Sequence, residues 1–376
     1  MSGHHGEYIS HLLKFLPNDF KKVRFLVREE IKDHELVELS ISELKDNGTC
    51  EIDYLTKDDL LYLNGGMKIF RPFRVLNFIS KYCNKHNFDK LFFLYLNSVF
   101  IALMIKRPPL DIYGILFLQF TRISADNFRT RLKKLAKGVI TRLVTYNKNV
   151  IKIFLINDEW SANYLNEKYN LNKYEFLLDP LPEIPNIGRD KSSDILKKLK
   201  LNENKFFLHP GSITDRKGTI ELIMAFNKSK NKSNYKLLII GKASKEFETK
   251  LRAIIKDTDM QDSVIFRNDF VSYEVLNMLI KLCKAVIIPY KISETSSGII
   301  GHTMKNNKLL ITVNRGLIGE LARNYSKSIL IKSCTVIDIK RAIEKIDLNT
   351  ITNCNNTNNK FSAKEFTYKI VKTIRS

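Results

Sequence analysis

The chain has 376 residues, 44% hydrophobic and 27% charged, which is enough for two globular domains that each bury a core. Its 62 Lys and Arg against 40 Asp and Glu leave a net charge of +22, but no helix-turn-helix, zinc-finger spacing or RNP-type aromatic motif accompanies the charge, so no nucleic-acid partner is expected. There is no run of eighteen apolar residues, the five cysteines are scattered, and the opening has no signal-type pattern, so a cytoplasmic chain without a disulfide framework is expected.

The first residues, Gly3-His4-His5-Gly6, lead directly into an amphipathic helix with Ile9, Leu12, Leu13 and Leu16 on one face. Residues 23–27 read as a strand, whereas 32–64 are polar and show no clear period. A helix is expected over 71–86, where Val75, Phe78, Ile79 and Tyr82 recur at helical spacing. Further strands are expected at 91–96, 112–120 and 151–156, and Asp158 after the last suits a helix N-cap. Strands alternating with helices argue for a doubly wound domain to about residue 180.

Within it, residues 122–148 carry eight basic side chains (Arg122, Arg129, Arg131, Lys133, Lys134, Lys137, Arg142 and Lys148) against one acidic, Asp126. Leu132, Leu135, Ala136, Val139, Ile140, Leu143 and Val144 fall at intervals of three and four, which makes one apolar helical face. A basic amphipathic helix suits an anionic membrane surface; the alternative is an ordinary domain helix with its apolar face on the sheet.

Leu181-Pro182-Glu183-Ile184-Pro185 marks a boundary, giving domains at 1–182 and 204–348, a hinge at 183–203, and a polar loop with a last helix at 349–376. The second half restarts with a strand at 206–208. Pro210-Gly211-Ser212-Ile213-Thr214-Asp215-Arg216-Lys217-Gly218 and a helix follow it, with further strands at 236–241 and 264–266. Residues 285–321 then read strand, turn, helix, strand. An apolar run ends at Pro289, and Ser293-Glu294-Thr295-Ser296-Ser297-Gly298 forms a small-residue turn. A helical segment at 299–307 and a second apolar run at 309–313 complete it. Such a turn lies at the carboxyl edge of a parallel sheet, where backbone N–H groups and the helix dipole favour a phosphate. Glu294 beside it can accept hydrogen bonds from sugar hydroxyls, and the pair of features suits a nucleotide-sugar.

This stretch resembles the donor site of GT-B glycosyltransferases of the retaining group related to family 4. The resemblance implies an α/β chain of two Rossmann-like doubly wound domains facing a cleft. It also implies transfer of a sugar from a nucleotide-sugar donor to a saccharide or lipid-linked saccharide acceptor, as in polysaccharide synthesis, with no cofactor and no metal. It places Glu294 on the donor sugar and Lys217 on the pyrophosphate, with Gly211, Ser212, Arg216, Thr295, Ser296, Ser297, Gly298 and His302 lining the donor. Two positions depart from the family pattern: a second Glu is expected where His302 stands, and an Arg where Ser212 stands. Residues 267–270 would border the base, and the last helix would cross back onto the first domain.

The resemblance also makes Gly3, His4, His5 and Gly6 an acceptor-side loop. Because no strand precedes that loop, either a strand is encoded upstream or the first sheet lacks one. Asp257-Thr258-Asp259, the one Asp-x-Asp, lies in a polar stretch and reads as a turn, against a metal-dependent transferase. A catalytically inactive GT-B subunit and a basic binding protein remain the rival classes.

Overall fold

Every strand pairing among the described residues is parallel, which requires crossovers and brings helices onto the sheet faces. The computed structural model describes residues 5–16, 20–43, 50–117, 120–123, 127–182, 184, 186–294, 296–346 and 362–376. The chain divides into two units, one of residues 1–182 with 361–376, the other of 183–360. Residues 183–203, expected as a hinge, therefore cluster with the second unit.

The first unit runs α1 (His5–Phe15), β1 (Val23–Arg28), α2 (Glu35–Glu43), β2 (Cys50–Leu55), α3 (Lys57–Asn64), α4 (Arg71–Lys85), β3 (Lys90–Phe93), α5 (Phe100–Leu103), β4 (Asp111–Leu116), α6 (Phe128–Thr145), β5 (Val150–Ile156), α7 (Glu159–Tyr169) and β6 (Tyr174–Leu177). Its strands form two sheets, β1-β2 and β3-β4-β5-β6, with helices between successive strands as expected of a doubly wound domain. Side chains alternate across β5 as the strand period demands. Ile153 and Leu155 join Leu103 of α5, Val144 of α6 and Leu165 of α7 on one face. Phe154 and Ile156 join Tyr8 and Leu12 of α1 and Phe366 and Ile370 on the other.

Residues 366 and 370 belong to α15 (Ala363–Arg375), which packs in this unit rather than in the one that precedes it in sequence. Its Phe366 ring stacks on Tyr8 at 5.1 Å, and Thr367 donates to the His11 carbonyl. Tyr8 in turn donates to Asp179 at 2.6 Å.

Several boundaries differ from expectation for local reasons. The strand expected at 91–96 stops at Phe93, and that at 112–120 stops at Leu116. There the Asn97 amide bonds both the N–H and the carbonyl of Phe117 and holds the two chain ends away from the ladder. The polar 32–64 region contains α2, β2 and α3; the last is started by a Thr56–Asp59 capping box. Asp158 caps α7 as expected, accepting from the Ser161 N–H.

The second unit runs α8 (Arg189–Lys198), β7 (Phe206–Pro210), α9 (Thr219–Asn227), β8 (Lys236–Ile240), α10 (Lys245–Asp257), β9 (Val264–Arg267), α11 (Tyr273–Leu282), β10 (Ala285–Ile288), α12 (Gly298–Lys305), β11 (Leu309–Val313), α13 (Gly316–Arg323), β12 (Ser328–Ile331) and α14 (Val336–Glu344). The sheet order is β12-β11-β10-β7-β8-β9. All side chains of β7, β10 and β11 are buried, as expected of strands covered on both faces, and this is why they read as largely apolar runs, with His209 and Thr312 the buried polar exceptions. The order reverses between β7 and β10. In an open parallel sheet that reversal parts the two carboxyl-edge loops and leaves a crevice for a ligand.

Candidate functional site

The loops after β7 and β10 meet at this switch point. After β7, Gly211 takes a left-handed turn and a short 3-10 turn over Asp215–Lys217 follows, ending at the left-handed Gly218 that opens α9. The next loop is pressed against this one: a Cβ on Gly241 would lie 1.9 Å from the Gly211 carbonyl oxygen, so only glycine fits. On the other side, Gly316 at φ +61 lets the start of α13 abut Ser293; a Cβ there would come within 2.4 Å of the Ser293 carbonyl oxygen. Each of the two site loops is thus backed by the backbone of a neighbouring loop.

Lys217 is buried, 7% exposed, and its ammonium sits 3.9 Å from the centroid of the Tyr290 ring while donating to the Tyr290 hydroxyl. That hydroxyl lies 3.3 Å from Ser297 Oγ, and Ser297 is the N-cap residue of α12. No carboxylate pairs with Lys217 among the described residues. A buried cation without a counter-ion is costly, and here it stands next to a helix N-terminus, itself partly positive. Both features call for an anion. Its neighbour Lys291, by contrast, is neutralised by Asp215 at 2.8 Å and Glu221 at 2.9 Å. Burial pulls the Lys291 pKa down, but its hydrogen bonds to these two carboxylates outweigh that and hold it above the ordinary lysine value.

Beneath the loop, His209 is fully buried, with Nδ1 2.7 Å from the Ile287 carbonyl and Nε2 3.0 Å from Thr219 Oγ1. A carbonyl only accepts, so Nδ1 carries the proton and Nε2 accepts from the Thr219 hydroxyl. Burial lowers the His209 pKa to about 4; the Ile287 bond opposes this and the Lys217 charge adds to it. His209 is therefore a neutral strut that ties β7, α9 and β10 together under Lys217.

The remaining expected site residues fall as follows. Glu294 is half-buried at the turn and accepts from the Ser293 N–H at 2.9 Å. Gly298 is the first residue of α12. Ser212 and Arg216 are exposed, Ser296 and Ser297 half-buried, and Thr295 lies outside the described residues. His302, in the second turn of α12, is buried and stacks on Tyr273 at 6.2 Å. In the stretch expected to border the base, Asn268 accepts from the Ala243 N–H at 2.8 Å, tying the loop after β8 to that after β9, and Phe270 is exposed. Asp257 ends α10 and Asp259 is left-handed, so the Asp-x-Asp is a turn.

In the first unit, Gly3 and His4 lie outside the described residues. His5 and Gly6 form the first turn of α1 rather than a loop, and Gly6 abuts the His34 ring. Glu7 in that turn favours a helix through the dipole.

Three participants escaped sequence reasoning: Tyr290, His209 and Gly241. Tyr290 directly follows the Pro289 that ended the expected strand, but nothing in its spacing signals the cation 73 positions earlier.

Residues 190–364, just under half of the chain, match the family model for glycosyl transferases group 1. No curated protein sequence matches the chain. Among solved structures, Anabaena HepE in complex with UDP and glucose aligns over 100% of this chain and 97% of its own, with a TM-score of 0.68 and 13% identity. A glycosyltransferase from Rickettsia africae aligns over 100% of this chain and 90% of its own at TM-score 0.63 and 15% identity. WaaG, a glycosyltransferase involved in lipopolysaccharide biosynthesis, aligns over 94% of each chain at TM-score 0.59 and 13% identity. The chain has the GT-B fold, with two Rossmann-like domains.

Proposed function

We propose, from the group 1 match and the GT-B fold, that this chain transfers a glycosyl group from a nucleoside-diphosphate sugar to a saccharide or lipid-linked saccharide, with retention at the anomeric carbon. One observation carries the reading: a buried Lys217, with no carboxylate partner among the described residues, set against Tyr290 and the N-cap of α12 at the sheet's switch point. In this reading the diphosphate sits between Lys217 and the first turn of α12, with the exposed Arg216 on its outer side. Glu294 accepts from the donor sugar's hydroxyls.

The bond from the anomeric carbon to the diphosphate oxygen breaks, and the electron pair leaves with the diphosphate. Lys217 and the helix N-terminus stabilise the negative charge that gathers there. The acceptor hydroxyl bonds the same face of the anomeric carbon, and its proton passes to the departing phosphate oxygen.

A screen of uridine, guanosine and adenosine diphosphate sugars, read as released nucleoside diphosphate, tests this. One donor class is expected to be hydrolysed slowly without acceptor, and Glu294→Ala lowers that rate roughly a hundredfold. Because the groups that neutralise the diphosphate belong to the protein, EDTA leaves the rate unchanged in this reading. A folded Glu294→Ala variant that turns over normally would remove Glu294 from the donor site.

A further inference from the structure

Helix α6 has an outer face that the fold leaves uncovered. Phe128, Leu132, Leu135, Val139, Leu143 and Tyr146 are 80%, 57%, 67%, 58%, 45% and 52% exposed. At the α-helical repeat these six positions fall within an arc of about 80°. The apolar face expected from sequence is thus split. Val144 is fully buried against the sheet and Ile140 is half-buried beside it, while the other five of the seven positions are exposed. An ordinary amphipathic helix buries its apolar stripe; this one buries one stripe and exposes a second.

The exposed stripe is flanked by cations on both sides. Arg129 and Lys133 follow one border, Arg131 and Arg142 the other, and all four are exposed. Along the second border a groove of about 860 Å³ opens between α6 and α7. Its lining includes Arg131, Lys134, Arg142 and Lys168 with Leu135 and Tyr146, and none of its described lining residues is a carboxylate. Lys168 stands over the Phe120 ring at 5.1 Å, on an aromatic floor rather than beside an acid. Not every cation of the window takes part: Arg122 is spent on the buried Asp158, with Nε 3.0 Å from Oδ2. Among the described residues no helix is long and apolar enough to cross a membrane, so this face suits lying on a bilayer rather than entering it.

We propose that α6 docks the first unit on an anionic bilayer. The exposed stripe enters the boundary between headgroups and acyl chains, and a lipid phosphate occupies the α6–α7 groove. The complementarity is twofold, apolar stripe to acyl chain and a groove whose described lining holds cations and no carboxylate to phosphate, which distinguishes it from the general attraction of a +22 chain. The inference rests on the first unit alone and stands whether or not the donor reading does.

Co-sedimentation of the full chain with phosphatidylcholine vesicles, with and without phosphatidylglycerol, tests it. Binding is expected only with phosphatidylglycerol and falls as salt rises. Arg131→Glu with Arg142→Glu and Lys168→Glu weakens it at least tenfold. Lys250→Glu with Lys256→Glu, two exposed sites on α10 in the other unit, leaves it within twofold. Leu132→Ser with Leu135→Ser and Val139→Ser also weakens it several-fold without changing the salt slope; these side chains are exposed, so the fold tolerates the change, which circular dichroism checks. Equal loss from the α10 pair would reduce the effect to net charge and overturn the proposal. So would unaltered binding by the stripe variant, or capture of nucleic acid with no capture of phosphatidylglycerol vesicles.

Discussion

Lys217→Met keeps the aliphatic stem against the Tyr290 ring, removes the charge, and lowers glycosyl transfer about a hundredfold or more. The stem matters because Lys217 is buried on that ring; truncation to Ala would open a cavity and mix a packing loss with the electrostatic one. Removing one preorganised group aimed at developing charge costs on the order of 10² to 10³ in rate. The fold itself is expected to hold. Among the described residues no carboxylate loses a partner when the ammonium goes, and a buried charge is exchanged for an apolar end. The donor diphosphate is charged before reaction as well as after, so its KM rises too, but the larger loss is in kcat, where the bridging oxygen gains charge. Steady-state kinetics with the donor found by screening, beside urea unfolding of the same variant, measure both. A folded Lys217→Met enzyme with near-normal kcat would mean that the diphosphate lies elsewhere.

The legible part of this site was the part written in local sequence. Strands β10 and β11 are buried on both faces, so they appear as short apolar runs, and the residues between them are the small ones a phosphate-binding turn requires. Lys217 was found through the family resemblance, by its place directly before Gly218, whose backbone is left-handed. Tyr290 and His209 were not legible, because their roles consist of contacts: a ring under a distant ammonium, and an imidazole bridging a carbonyl and a hydroxyl from two other elements.

Edge position alone did not hide a strand: β1, β3 and β9 lie at sheet edges and were read, whereas β2, β6 and β12, also at edges, were not. In β2 polar residues at Glu51 and Asp53 interrupt the apolar pattern, and β6 and β12 are only four residues long. In α6 the periodicity announced an amphipathic helix, but not that its apolar surface is wide enough to serve the core with one edge and leave the other in solvent.

Acid should loosen the second unit through His209 before carboxylate titration dominates. The imidazole is neutral and fully buried in the folded chain, its pKa lowered from 6.5 to about 4, chiefly by burial. Between those two values the unfolded chain binds the proton and the folded chain does not, so stability rises with pH through the window and is lost as pH falls from 6.5 toward 4. At about 1.4 kcal/mol per unit, the loss is roughly 2 kcal/mol by pH 5 and about 3 kcal/mol by pH 4. Other acids and bases titrate over the same range, so the informative quantity is a difference between two proteins. His209→Asn keeps a polar group at the position but cannot take up the proton. At pH 7.5 it is the less stable chain, having lost at least one of two buried hydrogen bonds. As pH falls to 5 the wild type loses the His209 contribution and the variant does not, so the gap narrows by roughly 2 kcal/mol. Urea unfolding of both proteins at a series of pH values gives that gap directly. Two stability curves that stay parallel between pH 7.5 and 5 would mean that His209 takes its proton in the folded chain as readily as in the unfolded one, and the neutral strut beneath Lys217 would have to be abandoned.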